Sequence, residues 1–182
     1  MKKYFLRYKP FLIFLAKFLI TYMLLTLAYE YYLSHFDTKK FEVDNITQLV
    51  AEQTVVALHF LGMEASQNLN PFESNVQMFY KNDYVARIVE GCNGLSVIIL
   101  FVAFVVAFKG KIKDTMIFIF LGTLIIHFLN ITRIALLCIL IYNCPKFESV
   151  LHGVVFPLII YGVVFLLWVI WVNKFSVYAK KS

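Results

Sequence analysis

The chain has 182 residues, of which 61% are hydrophobic, 18% aromatic and 15% charged, with a formal net charge of +6 and a mean hydropathy of +0.76. Globular domains carry about 25% charged residues, so a soluble domain, a disordered chain and a disulfide scaffold are all excluded. The apolar residues come in long runs, which points to an all-α integral membrane protein, a bundle of about four transmembrane helices in a single membrane domain.

In chain order, four runs are long enough for a bilayer core, which takes about 17–25 helical residues: 11–33, 92–108, 115–142 and 152–172. The first contains Lys17 and Glu30, the third contains Arg133, and the other two contain no charged residue. The third would be about 42 Å long as a helix, so it is either one tilted span or two short ones. Charge bias selects the single span. With four spans and both ends inside, the inner segments hold Lys2, Lys3, Arg7, Lys9, Lys109, Lys111, Lys113, Lys174, Lys180 and Lys181 against Asp114 alone. The acids Asp37, Glu42, Asp44, Glu52, Glu64, Glu73, Asp83, Glu90 and Glu148 then fall outside, as the positive-inside rule expects. The positive charge therefore reports orientation, and nucleic acid is not an expected partner. No cleavable signal peptide is expected, because the first run is too long for one and no small-residue cleavage site follows it.

Residues 34–90 form the one large hydrophilic segment, expected on the extracytoplasmic side. Ile46, Leu49, Val50, Ala57, Phe60 and Leu61 recur at helical spacing opposite Gln48, Glu52 and His59, predicting an amphipathic helix on the membrane surface. A fifth crossing by 46–62 is the alternative, and it would spoil the charge bias. Alternation in Val76–Tyr80 and Tyr84–Val89 around Lys81-Asn82-Asp83 predicts a short hairpin.

Glu90-Gly91-Cys92-Asn93-Gly94 is a polar turn leading into an apolar helix, which sets a thiol near a helix N-terminus, where a thiolate is favoured. The alternative is a packed structural cysteine. Asn130 and Arg133 are three residues apart and share a helix face; an arginine within a span is costly and usually faces the bundle interior. His152 precedes Gly153 at the outer start of the last run. A thiol, an imidazole and a guanidinium brought to one side make a cysteine-type acyl-transfer site. His127 is expected to pack or to make a supporting hydrogen bond. Cys138 reads as apolar filler, and Cys144 could pair with Cys92 in a disulfide. No metal-ligand spacing and no phosphate-binding loop occurs, so neither a metal nor a cofactor is expected.

Glu-Gly-Cys-Asn-Gly at 90–94, Asn130-Ile-Thr-Arg133-Ile and His152-Gly153 together resemble the exosortase/archaeosortase family, over about 85–172, and more narrowly its short form, XrtF. The resemblance implies a membrane cysteine transpeptidase or protease in the bacterial inner membrane, with an extracytoplasmic active site. It would cleave a C-terminal sorting signal of exported proteins. It also implies Cys92 as nucleophile, Arg133 and His152 as its catalytic partners, and Glu90, Asn93, Gly94 and Asn130 in support. Asn93 stands where the family commonly has Ser, and could cap the helix in its place. Typical exosortases have about twice as many spans, so a second copy or a membrane partner could complete the substrate groove, with membrane lipid as the other neighbour. Gly122 and Gly162 either admit a substrate helix or are ordinary packing positions. The competing reading is a non-enzymatic subunit or chaperone of an export system, in which Arg133 pairs with Glu90.

Overall fold

The structure is a computed structural model that describes residues 2–176, with side chains from residue 8 onward. Lys2, Lys3, Arg7, Lys180 and Lys181 of the charge argument lie outside the described side chains. Helix α1 (Lys2–Leu33) is followed by α2 (Asn45–Phe60), strands β1 (Ala65–Leu69), β2 (Val76–Tyr80) and β3 (Asp83–Ile88), then α3 (Leu95–Ala107) and α4 (Ile112–Asn143). A last helix, α5, runs over Pro145–Phe175.

Three segments are long and apolar enough to cross a membrane: Tyr8–Leu33, Ile112–Asn143 and Pro145–Phe175. The fourth expected span shortens to the 13 residues of α3, or about 20 Å, because residues 90–94 form a turn instead of helix. The last run begins earlier than expected. Pro145 starts a 3₁₀ turn that leads into helix and then a π turn over Leu151–Val155. Residues 143–151, between the last two expected spans, are therefore largely helical, and Pro145 suits a first turn because it has no N–H to leave unpaired.

The helices alternate in direction. Phe14 meets Phe108 at one end of α1 (ring centroids 4.5 Å) and Asn93 meets Tyr29 at the other, so α1 and α3 are antiparallel. Asn130 returns to Cys92, and Trp171 returns to Phe118, so α4 and α5 continue the alternation. Phe101, Val105, Ile126, Val164, Leu167 and Trp171 form the core of this bundle. A Cβ on Gly122 would clash with the Phe101 ring, so this glycine admits an internal ring. Gly162 has nothing within 4 Å of its would-be Cβ.

The second core is built differently. Val50, Ala51 and Leu58 of α2 and Val76, Met78, Tyr80, Val85 and Ile88 of the sheet pack on Ile134, Ala135 and Cys138 of α4. Cys138 is the buried filler expected of it. The 32 residues of α4 thus serve two cores, the first half in the bundle and the second half beneath the sheet. This accounts for a run longer than a bilayer needs.

The expected hairpin is present. Lys81 and Asn82 both have positive φ, 51° and 66°, the type I′ geometry that matches strand twist. It belongs to a three-stranded antiparallel sheet of order β1-β2-β3, with Ala65 opposite Tyr80 and Val76 opposite Ile88. Helix α2 also forms, capped by Asp44 Oδ1 accepting from Thr47 N at 2.9 Å. The face of α2 that packs inside the fold is Thr47, Val50, Ala51, Thr54 and Leu58, whereas Leu49, Phe60 and Leu61 of the expected membrane-surface face are exposed. Close packing between sheet and α4 selects small side chains, and Thr54 Oγ1 satisfies itself on Val50 O at 2.7 Å.

Candidate functional site

The turn that carries Cys92 is held from three sides. Glu90–Cys92 forms a 3₁₀ turn, with Cys92 N donating to Val89 O at 2.8 Å. Asn93 is buried; its Oδ1 accepts from Leu95 N (2.9 Å), and its Nδ2 donates to Tyr29 Oη (2.8 Å) and Thr47 Oγ1 (3.2 Å). One amide thus ties α1, α2 and the start of α3 together. A serine hydroxyl, with a single proton, could not donate to both oxygens. Asn93, not the thiol, takes the first helical N–H, so Cys92 sits in the turn ahead of α3 and not at its cap.

The third restraint comes from α4. Asn130 is 1% exposed, and its Nδ2 donates to the Cys92 carbonyl at 2.9 Å. Gly94 has φ +83°, and a Cβ there would lie 3.1 Å from Asn130 Cγ and Nδ2. Only glycine meets both conditions without strain. Asn130 therefore registers the cysteine turn against α4 three residues before Arg133.

Arg133 is half-buried, and its Nε is buried with no hydrogen-bond partner among the described residues. The pairing with Glu90 that the non-enzymatic reading requires is not made; the ion pairs among the described residues are Lys40–Asp37 and Arg87–Glu73. Burial, and secondarily the charge of Asp44, push the Glu90 carboxyl above its usual range. His152 lies in the π turn of α5, where Phe156 N reaches back to Leu151 O. Such turns widen a helix locally and are frequent at functional sites.

Cys92 and His152 line one cavity of 520 Å³, together with Tyr84, Val85, Ala86, Arg87 and Val89, Leu137 and Ile141 of α4, and Glu148. Arg133 lies one turn below Leu137 on α4 and is not part of that lining. The structure thus brings two of the three expected catalytic residues to one cavity; the third, Arg133, lies outside its lining, three residues along α4 from the Asn130 that bonds the Cys92 carbonyl. Arg87 and Glu148 are additions that sequence reasoning missed. Glu148 stands one helical turn before His152, a spacing that could have revealed it. Arg87 bonds Glu73 Oε2 at 2.8 Å and reaches the site only through sheet pairing.

Cys92, Cys138 and Cys144 are all free thiols, so the Cys92–Cys144 disulfide is not formed. His127 Nε2 lies 2.8 Å from Gln53 Oε1, a hydrogen bond between α4 and α2. Among the described residues no group of three or more His, Cys, Asp or Glu is placed to hold a metal ion.

Residues 6–173 match the family described as transmembrane exosortase. No curated protein and no solved structure matches the chain. The match runs through the cysteine turn, the arginine face of α4 and the histidine of α5, and covers nearly all of the 182 residues: the chain is a membrane protein of the transmembrane exosortase family.

Proposed function

We propose that this protein is a membrane cysteine transpeptidase or protease that cleaves a C-terminal sorting signal of exported proteins, in the manner of the short form XrtF. The observation that carries the reading is the shared cavity of Cys92 and His152. The Asn130 bond to the Cys92 carbonyl adds to it, because it draws the turn toward Arg133. Cys92 Sγ attacks the scissile carbonyl carbon as its proton passes to His152. Arg133, whose Nε has no partner among the described residues, donates to the oxyanion. The C–N bond then breaks, His152 returns the proton to the leaving amine, and a thioester remains on Cys92. Water or an amine attacks that thioester, giving hydrolysis or transfer. No cofactor enters these steps.

The family supports a bacterial inner-membrane location, and charge bias supports a cavity facing outward. Lys109, Lys111 and Lys174 gather at the end of the bundle remote from Cys92, and the acid-rich 34–90 segment lies at the other. In this topology α3 completes a fourth crossing, and a second copy or a membrane partner completes the groove for the substrate's span.

The test is intact mass spectrometry of co-expressed candidate substrates bearing a C-terminal span and basic tail, with wild type beside Cys92→Ala. Cysteine-dependent loss of the tail is expected, and any added mass identifies the acceptor. Equal processing by Cys92→Ala would remove the nucleophile assignment. Intact substrate with both proteins would favour a non-catalytic subunit.

A further inference from the structure

We propose that a second cleft, at the end of the bundle remote from Cys92, binds one anionic phospholipid, with an acyl chain in the cleft and the phosphate headgroup among Lys9, Lys17 and Lys109. The cleft has a volume of 650 Å³, within the range of about 300–1,000 Å³ typical of small-molecule sites. Its walls are α1, α3 and the end of α5. They are apolar, contributed by Phe11, Ile13, Phe14, Phe104, Phe108 and Val172. Phe14 packs against Phe104 and Phe108 at 5.7 and 4.5 Å and so closes one wall.

The charge inside the cleft is of one sign. Lys9, Lys17 and Lys109 all line it, and no carboxylate does. None of the three makes an ion pair among the described residues. The terminal residues 1–7 and 177–182 contain no Asp or Glu that could neutralise them.

Lys17 explains why the occupant is a lipid and not a soluble anion. It lies eight residues along α1 from Lys9, or about 12 Å deeper in the apolar span. Helical side chains lean toward the helix N-terminus, and lysine extends its ammonium toward the nearest polar layer. Lys17 therefore reaches down the cleft toward Lys9 and Lys109, and an anion held at the mouth would offset the cost of a charge placed within the apolar span. Basic pockets between membrane helices bind phosphate headgroups by this chemistry. A free phosphate would use the lysines but leave the apolar walls uncovered. The site does not depend on the reading of Cys92.

Native mass spectrometry of the detergent-solubilised full chain tests this, using phosphatidylglycerol beside phosphatidylcholine with the same acyl chains. One phosphatidylglycerol should be retained at least about tenfold more tightly than phosphatidylcholine. The triple variant Lys9→Gln, Lys17→Gln, Lys109→Gln should lose that preference. Ile13→Trp, which fills the cleft and keeps every lysine, should weaken retention of both lipids. A charge-matched control, Lys39→Gln, Lys40→Gln, Lys81→Gln, should behave as wild type. Equal retention of the two lipids, or an unchanged preference in the cleft triple, overturns the proposal. So does an equal loss in the control, or displacement of the lipid by inorganic phosphate.

Discussion

The bundle and the sheet module are built on the same helix by opposite means. In the first half of α4, Gly122 opens a space that the Phe101 ring fills, and Phe118 packs tilted against Trp171 at 5.0 Å; large rings pack into a gap left by a glycine. In the second half, Ala135 and Cys138 meet Ala51 and Leu58 of α2 and Met78 of β2, so a helix and a sheet approach closely over small residues. The first is packing suited to lipid, where small residues let neighbours come near. The second is ordinary burial of apolar surface from water. Cys92, Asn93 and Asn130 lie at the seam, and the buried amides of Asn93 and Asn130 join the two regions. On the proposed function, a site at such a seam suits a substrate whose cleaved bond is in water and whose anchor is in lipid.

The largest expected effect separates the two cores. Leu58 is fully buried in the sheet module, so Leu58→Ala should cost about 2–5 kcal/mol. Hydrogen exchange should rise across residues 45–88 and stay low in α3 and α5, whose backbone bonds are protected in lipid. A uniform rise through α3 and α5 would make the two regions a single cooperative unit. Next is Arg133→Lys at the seam. It keeps the charge and loses the planar fork, and on the proposed mechanism the lost oxyanion donor should cost about 10²–10³ in kcat. Wild-type turnover in single-turnover assays would leave Arg133 a packing role.

Gly94→Ala should have a smaller effect on stability, about 1–3 kcal/mol, from forcing a Cβ into the left-handed region and against Asn130. Its effect on processing should exceed its effect on stability, since Asn130 must yield and the Cys92 carbonyl loses its donor. Asn130→Asp tests the same contact without the steric term: the carboxylate cannot donate to that carbonyl, so processing should fall with little change in helix content. Parallel losses of melting temperature and activity in both variants would make the contact purely structural.

How much of this was legible in the sequence depends on where the signal resides. The spans were visible because a run of apolar residues is itself the physical requirement. The β2–β3 hairpin was visible because Lys81-Asn82 is a local turn between alternating strands. Strand β1, Ala-Ser-Gln-Asn-Leu, was not, because it lies at the edge of the sheet and owes its form to pairing with β2. The face of α2 that packs on the sheet and α4 was not visible, because Thr47 and Thr54, polar by type, are buried after finding hydrogen bonds within the fold. Cys92, His152 and Asn130 stood out as chemistry at conspicuous turns and spacings. Arg87 and Glu148 did not, since their place at the cavity follows from β3 register and from a helix that begins before His152.

The smallest expected effect concerns the rim of the seam. Glu90 opens the cysteine turn, and burial together with the nearby Asp44 charge raises its carboxyl above the usual range. Asp44 cannot move away, because its carboxylate caps α2. A carboxyl raised in the folded state favours folding most where it is protonated. Its contribution is complete below the unfolded value and is lost as pH rises through the folded one. At neutral pH Glu90 is therefore a mild liability, discounted further by its exposure to solvent. Glu90→Gln mimics the protonated form, so its melting temperature should lie slightly above wild type at pH 7, and the difference should close as pH falls below the folded value. A lower melting temperature at pH 7 would mean that the carboxylate is stabilised by a partner, and Arg133 would then be the first to examine by a double-mutant cycle.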